Sequence, residues 1–400
     1  MNWLIPENEL DREQRKILDA IMTQKGNIQI VGFPGSGKTV LLLYAAKLMK
    51  ERNPCANILF VEFTHSLIQM IETSIREFHG CDIPVVTYYD FCQNYTNCGV
   101  FDCIFCDEIQ DIPLKVIDML KKHAKRVIVA GDPKQSIYSK DPKWNCPTCS
   151  QSDLRDRLNV EPYQLSVIHR LSKFVISAVD KFLPDMHITS GRHSMVKTHP
   201  KIRIWKAENK KMEVDAIMRD AEKYFNIGES VGILLPSHHK ILQFANIFLK
   251  CAGKPEWKAK RDKYRNNDYG KLNEHFEKHQ MPIRYVANGY GSFSNDKSRI
   301  VLTTYHSSKG LDFDRVYLPF CNNNDNPNEL KNDITLFMVA MTRSRRDLII
   351  SYSKMLNNFV YSFKDDCSYK KLTSPNYPQF PTDVETESKK EEKVIDLFGW

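Results

Sequence analysis

The sequence lacks any apolar run near the roughly 20 residues that a helix needs to cross a bilayer. Its first residues, MNWLIPENELDRE, carry acidic side chains where a signal peptide has basic ones, and they lack a long apolar core. The 11 cysteines follow no regular framework, and a chain of this size does not need covalent staples. We therefore expect no membrane association, reduced thiols and a cytoplasmic location.

Composition is that of an ordinary globular protein and gives only a weak indication of a partner. The 400 residues fit two or three domains, with 42% hydrophobic and 26% charged residues. The formal net charge of +8 is a modest basic excess. Such an excess is compatible with a polyanionic partner, but many soluble proteins carry one without binding any.

Short apolar runs alternate with helical patterns along the chain. Runs that end in small or acidic residues at this spacing predict a parallel sheet covered by helices on both faces. They occur at 27–33, 57–63, 102–108 and 126–132, and again at 201–207, 230–236, 282–287, 299–305 and 315–320. We therefore predict an α/β protein with two sheets in tandem and no solenoid repeat.

A glycine-rich segment, GFPGSGKT, matches the pattern GxxxxGK[ST] between a predicted strand and a predicted helix. Gly32, Gly35 and Gly37 let backbone N–H groups approach phosphates, and the helix N-terminus adds partial positive charge. Lys38 is predicted to reach the β- and γ-phosphates of a nucleotide, and Thr39 to bind Mg²⁺. The segment therefore predicts a phosphate-binding loop.

A pair of carboxylates, Asp107 and Glu108, ends one of the predicted strands. Asp107 would hold Mg²⁺, directly or through water, and Glu108 would activate an attacking water. Acidic pairs at strand ends are common, so the functional interpretation depends on the phosphate-binding loop upstream. Together the two segments predict nucleotide hydrolysis.

Several segments resemble, in the same order, the motifs of UvrD/Rep-type superfamily 1 DNA helicases. The clearest are DEIQD, which resembles DE-x-QD, GDPKQSIY, which resembles GD-x-x-QSIY, and TYHSSKGLDFD, which resembles T-x-HSSKGLEFD. The others are LDREQ at 10–14, FTH at 63–65, VTY at 86–88 with Phe91, the pair His169-Arg170, and VAMTRS at 339–344. The resemblance covers roughly residues 8–352. It implies two tandem RecA-like domains of the P-loop NTPase type that hydrolyse ATP.

The resemblance implies an ATP site between the two domains. Gln14 would read the adenine edge, and Gln135 would sense the γ-phosphate. Arg170 and Arg343, the latter as an arginine finger, would reach the phosphates from the second domain, so that domain closure drives hydrolysis. The remaining nucleotide contacts that the resemblance implies are His169 near adenine, Gly310 and Asp312.

The same resemblance implies a groove for single-stranded DNA, or the single strand of a tailed duplex, across both domains. Phosphate contact and stacking would make binding independent of sequence. The QSIY and HSSKG motifs resemble the branch that moves 3′→5′. The implied DNA contacts are Phe63, Thr64, His65, Thr87, Tyr138 and His306.

Some positions depart from the family pattern. The family's WRG after QSIY is absent, and Lys140 stands at the position of its stacking tryptophan. Trp144 either substitutes for that tryptophan from a changed loop or has a core or surface role. His169 replaces the usual tyrosine, and His65 replaces asparagine. These departures concern the grip on adenine and DNA.

The chain also lacks the two accessory insertions that the family usually carries. Only a short stretch separates Phe91 from Asp107, where the first insertion would lie. Residues 252–280 are polar and basic, too few for the second insertion, and predict an inserted helix or a mobile loop. We predict a first RecA-like domain at 1–165, a second at 166–372 and a flexible tail at 373–400.

Two CxxC pairs have different interpretations. Cys146 and Cys149 lie in CPTC and are a candidate half of a zinc site, with Cys92 and Cys98 as candidates for the other half. Reduced loop cysteines are the alternative. The pair at 103 and 106 lies on a predicted strand, so its side chains point to opposite faces and belong to the core.

The C-terminal tail combines a polar, charged linker with the apolar end VIDLFGW. Leu397, Phe398 and Trp400 could dock into a pocket of a partner such as a nuclease or a sliding clamp, whose binding pentapeptide the tail partly resembles. Packing of the tail onto the protein itself is the alternative. For the whole chain, the alternative to a translocase or helicase is a regulatory, DNA-sensing ATPase subunit that licenses a partner such as a nuclease.

Overall fold

The computed structural model describes residues 4–78, 82–141, 144–193, 200–258, 268–287, 290, 300–323 and 334–373. Two parallel sheets, each with helices packed against it, follow one another along the described chain. The predicted α/β class, with two sheets in tandem, is confirmed. The flexible tail predicted at 373–400 lies outside the described residues except for Thr373.

The first sheet has six strands in the described part of the chain, in the order β3-β2-β4-β5-β1-β6, and every pair is parallel. Its strands are β1 Ile28–Gly32, β2 Ile58–Glu62, β3 Val85–Thr87, β4 Cys103–Cys106, β5 Val127–Gly131 and β6 Glu161–Leu165. Its helices are α1 Arg12–Thr23, α2 Lys38–Arg52, α3 His65–Glu77 and α4 Leu114–His123.

Both faces of this sheet are buried, which explains the nearly continuous apolar strands. Phe60 and Phe105 stack in the core beneath α2 and α3. The opposite face packs against α4. Cys103 lies in the first of these cores and Cys106 in the second, so the prediction that this pair faces opposite sides of a strand is confirmed.

Three helices of the first sheet begin at residues suited to that role. Asp11 and Gln14 form a reciprocal capping box at the start of α1, with the Gln14 amide N–H donating to Asp11 Oδ1 over 2.8 Å. Thr64 caps α3 through a hydrogen bond from Leu67 N. Helix α2 instead begins after Gly37, whose backbone is left-handed at φ 90°. Each of these starts places a helix N-terminus beside the carboxyl edge of the sheet.

The second sheet has seven strands in the described residues, in the order β11-β12-β10-β13-β14-β9-β15, again parallel throughout. Its strands are β9 Arg203–Lys206, β10 Val231–Leu235, β11 Ile283–Tyr285, β12 Ile300–Thr304, β13 Phe313–Leu318, β14 Ser344–Tyr352 and β15 Ser368–Lys371. A separate parallel pair consists of β7 Val167–Ile168 and β8 Arg192–His193. The helices of this second part of the chain are α5 Lys173–Phe182, α6 Lys210–Asn226, α7 His238–Cys251, α8 Tyr269–Lys278, α9 Ile334–Met341 and α10 Asn358–Tyr361.

Shorter helical turns connect these elements. They lie at Glu7–Glu9, Tyr88–Asp90, Phe91–Tyr95, Ile109–Asp111, Pro133–Gln135, Gln151–Asp153, Leu154–Leu158, Pro184–Met186, Ile188–Ser190 and Lys364–Asp366. The turns at Ile109–Asp111 and Pro133–Gln135 directly follow strands β4 and β5, and they carry polar residues of the site described below.

Every apolar run that predicted a strand contains one, while β3, β6, β7, β8, β14 and β15 were not predicted. The segment at 252–280 is helical over Tyr269–Lys278, which fits the inserted helix, one of the two alternatives predicted for it. Leu272 and Phe276 are buried in the core of the second sheet, because the helix turns its apolar face inward, and Trp257, which precedes the helix, is buried in the same core. None of the described helices is long and apolar enough to cross a membrane.

Candidate nucleotide and nucleic-acid site

The loop between β1 and α2 folds around the amine of Lys38. Lys38 Nζ donates to the carbonyl oxygens of Gly32, over 2.7 Å, and Phe33, over 3.3 Å. Burial lowers the pKa of this amine, opposed by the nearby charges of Glu108, Asp132 and Asp107. The loop thus presents a buried cation at the N-terminus of α2, a position that favours anions.

Gln14 lies directly against the same loop. Its side-chain amide donates to Ser36 O over 3.1 Å, and the side chain is buried. A Cβ atom on Gly37 would come within 2.5 Å of Gln14 Nε2, and Gly37 also has φ 90°. Glycine at this position therefore permits both the turn and the close approach of Gln14.

Asp107 and Thr39 meet where β4 ends and α2 begins. Thr39 Oγ1 donates to Asp107 Oδ2, and Asp107 Oδ1 accepts from the amide of Glu108 over 2.8 Å. Burial and the neighbouring Glu108 raise the pKa of Asp107 to about 6, against the effects of Thr39 and Lys38. A hydroxyl and a carboxylate side by side are hard oxygen ligands of the kind that Mg²⁺ takes, so the predicted pair fits that ion.

Glu108 occupies a left-handed backbone conformation with φ 48° and ψ 40°, which is uncommon for a residue with a side chain. Its Oε2 accepts from Gln110 Nε2 over 2.6 Å and lies 3.5 Å from Lys309 Nζ. Burial alone would raise its pKa, but the positive charges of Lys309, Lys38 and Arg343 outweigh burial and hold the pKa at about 2. Glu108 is therefore a carboxylate at neutral pH, as a base that accepts a proton from water must be.

Gln135 is connected to this carboxylate through side chains of the first unit, by which we mean the six-stranded sheet with its helices. Its amide donates to Asp132 Oδ2 over 2.9 Å, and the Asp132 amide donates to Gln110 Oε1 over 3.1 Å. Gln110 in turn binds Glu108, so these side chains connect the ends of β4 and β5. Gln135 is buried, which leaves it held in one orientation.

Two arginines approach from the second unit, which is the seven-stranded sheet with its helices. Arg170 pairs with Asp312 and donates to the carbonyl of Thr342 over 3.1 Å, while its Nε is buried with no hydrogen-bond partner among the described residues. Arg343 is buried and donates to Val339 O over 2.9 Å. Burial and the nearby Arg170 lower its pKa to about 10, so it keeps its charge at neutral pH.

Contacts across the interface join the two units at these groups. His169 N donates to Gly35 O over 3.0 Å, and His169 Nε2 lies 2.7 Å from Asp11 Oδ2, beside Gln14. Lys309, from the loop after β12, is buried, pairs with Asp111 and donates to Gln135 O over 3.1 Å. The predicted nucleotide residues of both units therefore lie along one interface.

Gly310 follows Lys309 and lies against Leu67 of the first unit. Its φ is +80°, and a Cβ there would meet Leu67 Cδ1 at 3.0 Å. We expect Gly310→Ala to lower the free energy of unfolding by about 1–3 kcal/mol, because both the backbone and the contact would be strained. Gly228→Ala is the matched control, since Gly228 has φ +88° with nothing within 4 Å. Urea titration should show the larger loss at Gly310, and equal losses would contradict a tight contact with Leu67.

Aromatic rings form a row across the same interface. Phe63 stacks on Tyr88 at 5.8 Å between centroids and lies 5.6 Å from Tyr138. Tyr138 stacks on His306 of the second unit at 5.6 Å. Phe63, Tyr138 and His306 are half-buried, so each keeps some surface. We call Phe63, Tyr88, Tyr138 and His306 the aromatic row.

The other predicted DNA contacts lie close to this row and have structural roles as well. Thr64 is the residue that caps α3, and His65, the first residue of that helix, is exposed. Thr87 is buried, and its hydroxyl accepts from Asp90 N over 3.0 Å. The roles of these three residues in binding DNA stay predictions.

Trp144 packs on the first unit beside Tyr88, a member of the aromatic row. Its ring lies edge-on to Tyr88 at 5.5 Å and tilted against Tyr89 at 5.7 Å. Lys115 Nζ lies 3.4 Å from the ring centroid on the α4 side. Trp144 is half-buried and contacts the aromatic row, so both alternatives left open by the sequence stay predictions.

The candidate zinc pair gains no further ligands in the described part of the chain. Cys149 is buried, and Cys92 Sγ lies 3.5 Å from Met119 Sδ. No group of three or more histidine, cysteine, aspartate or glutamate side chains is arranged to hold a metal among the described residues. The ten described cysteines are free thiols, and zinc at Cys146 and Cys149 stays a prediction.

Comparison with known proteins finds one family match in each unit. Residues 14–141 match the AAA domain family, and residues 286–355 match the UvrD-like helicase C-terminal domain. The first match covers the phosphate-binding loop through Tyr138, and the second covers His306 and Arg343. These matches support a UvrD/Rep-type superfamily 1 helicase with two RecA-like P-loop domains. No curated protein matches the chain.

Several residues of the site were given no role from the sequence. Gln110, Asp111, Asp132 and Lys309 stand inside the quoted motifs, so their motif positions were a signal that could have found them. Glu62 stands just before the FTH segment, and no pattern singles it out. Its carboxyl is buried at the end of β2.

Proposed function

We propose that this protein is a single-stranded-DNA-stimulated ATPase that translocates 3′→5′ on one strand. The observation that carries the proposal is that the ATP residues of both domains and the aromatic row meet along one interface. A change in the gap between the domains would therefore act on nucleotide and strand together.

The geometry supports a hydrolysis mechanism with parts from both domains. Lys38 would neutralise the β- and γ-phosphates, and Glu108 would accept a proton from the attacking water. Arg170 and Arg343 would stabilise the charge that develops on the transferred group from the opposite side. The unpartnered Nε of Arg170 is a donor still available for a phosphate oxygen.

Mg²⁺ would be held by Thr39 and Asp107, where it would neutralise phosphate charge. Gln14 and His169 lie on the same side of the loop, near Asp11, and would contact the adenine. Gly310 and Asp312 stand beside Lys309 and Arg170, so they would shape the wall of the second domain. Gln135 would sense the γ-phosphate, and hydrogen bonds through Asp132 and Gln110 connect it to Glu108.

The loop after β12 connects the two activities. It carries His306 of the aromatic row and, three positions later, Lys309, which contacts Asp111 and lies 3.5 Å from Glu108. A strand that binds at His306 would therefore move the residue that neutralises the catalytic carboxylate. This arrangement gives a physical route for DNA to stimulate hydrolysis.

Tyr138 offers a direct test of the aromatic row. We expect Tyr138→Ala to weaken binding of a poly-dT oligonucleotide about 5- to 150-fold, since one base stack is worth about 1–3 kcal/mol. Fluorescence anisotropy at fixed salt would measure the affinity, with Tyr361→Ala, an exposed tyrosine on α10, as the control. Wild-type affinity in Tyr138→Ala would place the strand elsewhere.

Movement is tested with streptavidin blocks on biotinylated oligonucleotides. Motion 3′→5′ should clear a block from the 5′ end, faster than spontaneous release and only with ATP. Clearance of the 3′ block alone would reject the direction and leave the ATPase proposal standing.

A regulatory DNA-sensing ATPase is the second candidate. It is favoured by the connection from β3 to β4, where only short helical turns stand in place of an accessory insertion. In that case single strands would stimulate turnover without displacement of either block, and the activity of a partner such as a nuclease would depend on the nucleotide state.

Deleting residues 390–400 would test the role of the tail. If the tail docks on a partner, the deletion should abolish pull-down of that partner and leave the thermal stability of the protein unchanged.

A further inference from the structure

Glu62, the last residue of β2, carries a buried carboxyl group without a partner. The residue has 0% exposure, and neither carboxyl oxygen has a hydrogen-bond partner among the described residues. The Phe63 amide lies near enough to influence the carboxyl, yet it makes no hydrogen bond within normal geometry. Burying an unsatisfied carboxyl is costly, so its persistence calls for an ion, a water or a functional role.

The sheet register places Glu62 beside the carboxylates of the ATP site. Strands β2 and β4 are parallel with Val61 opposite Cys106, so the next positions are Glu62 and Asp107. Phe60 and Phe105, two residues earlier on each strand, share the core under α2. Because side chains alternate along a strand, Glu62 and Asp107 face that same side, where Thr39 of α2 binds Asp107.

Electrostatics agree with this placement. Burial, then the charges of Asp107 and Glu108, raise the pKa of Glu62 well above its usual range. Three carboxyl groups in a buried space repel one another, whereas a divalent cation with its waters would give each an interaction partner. Lys38 donates to backbone carbonyl oxygens, and Lys309 pairs with Glu108 and Asp111. Among the described residues, neither amine forms a contact with Glu62.

We propose that Glu62 is a third carboxylate of the magnesium site, which holds the metal through one of its bound waters. Mg²⁺ keeps several waters and needs oxygen groups around them, and the unpartnered oxygens of Glu62 supply an acceptor beside Asp107 and Thr39. Glu62 is thus a positioning residue for the metal. The inference rests on the proposed ATP site and adds a residue that the helicase motifs do not include.

The test is metal affinity, measured without DNA and without turnover. Mn²⁺ is titrated into the full chain with a non-hydrolysable ATP analogue, and free Mn²⁺ is followed by electron paramagnetic resonance. We expect Glu62→Gln to weaken Mn²⁺ binding about 10-fold, in the range of outer-sphere ligands. Affinity for the nucleotide in EDTA should stay unchanged, which a general loss of structure would not allow.

Glu213→Gln is the matched control, since Glu213 is equally buried but bonded to Phe320 N and Ser351 in the second domain, each at 2.7 Å. It should keep wild-type Mn²⁺ affinity. If Glu62→Gln does not fold, Glu62→Asp, which keeps the charge on a shorter side chain, should show a weaker but measurable loss.

The outcomes separate the two proposals. Wild-type Mn²⁺ affinity in the folded Glu62 variant would overturn the role of Glu62 while the ATP site stands. Failure of the wild-type chain to bind Mn²⁺ with the analogue would overturn the proposed ATPase itself, and the role of Glu62 with it.

Discussion

Replacing Glu108 by glutamine is expected to lower ATP turnover about 10²- to 10⁴-fold, the usual contribution of a positioned general base. Glutamine preserves the size of the side chain and can still accept the hydrogen bond from Gln110, but it cannot take a proton from water. Lys38 and Thr39 are untouched, so ATP binding should change little. The variant should therefore hold ATP without hydrolysing it, as equilibrium binding beside single-turnover kinetics would show.

The control for this variant lies at the other end of the same strand. Asp102 precedes β4, is partly exposed and pairs with Lys125 over 2.7 Å. Asp102→Asn changes one carboxylate in the same way, far from the phosphate-binding loop, and should keep near wild-type turnover. Comparable turnover in Glu108→Gln and the wild type would remove Glu108 from the mechanism.

Replacing Arg343 by alanine is expected to lower ATP turnover about 10³-fold or more, the range known for arginine fingers. The guanidinium is buried among backbone carbonyls of the second domain and keeps its charge, and that charge helps to lower the pKa of Glu108 in the first domain. Loss of that cation would remove charge stabilisation in the transition state, whereas we expect binding of ground-state ATP to rely mainly on the first domain.

Arg343 also supports its own domain, so two further variants separate catalysis from folding. Arg343→Lys keeps a charge but loses the planar fork, and it should still turn over far more slowly than the wild type. Arg346→Ala removes a nearby but exposed arginine that pairs with Glu229 over 3.0 Å, and it should be nearly silent. An Arg343→Lys enzyme that is folded and fully active would show that hydrolysis does not use the second domain in this way.

The strands that were predictable from sequence are those buried on both faces. Central strands such as β2 and β10 are continuous apolar runs because helices cover both of their sides. Strand β6 escaped prediction because it is an edge strand whose first four residues, EPYQ, are exposed or half-buried. Strand β14 opens with the polar segment SRRD, so only its second half is an apolar run.

The sequence also predicts only some of the side-chain contacts in the candidate site. Lys38 and Thr39 could be predicted because the loop that orients them is local in sequence. The pair of Lys309 with Asp111 joins residues 198 positions apart, and only packing of the two domains creates it. Glu62 was not predicted because acidic residues at strand ends are common. Only the structure shows that its carboxyl is buried without a hydrogen-bond partner among the described residues.

The most direct test of the account is steady-state ATP hydrolysis by the intact chain, titrated with single-stranded DNA and, separately, with blunt duplex. If nucleotide and strand share the interface, single strands should raise turnover many-fold and saturably, blunt duplex should do so far less, and Tyr138→Ala should shift the midpoint to higher DNA concentration. Turnover that is the same with and without single-stranded DNA would contradict the account.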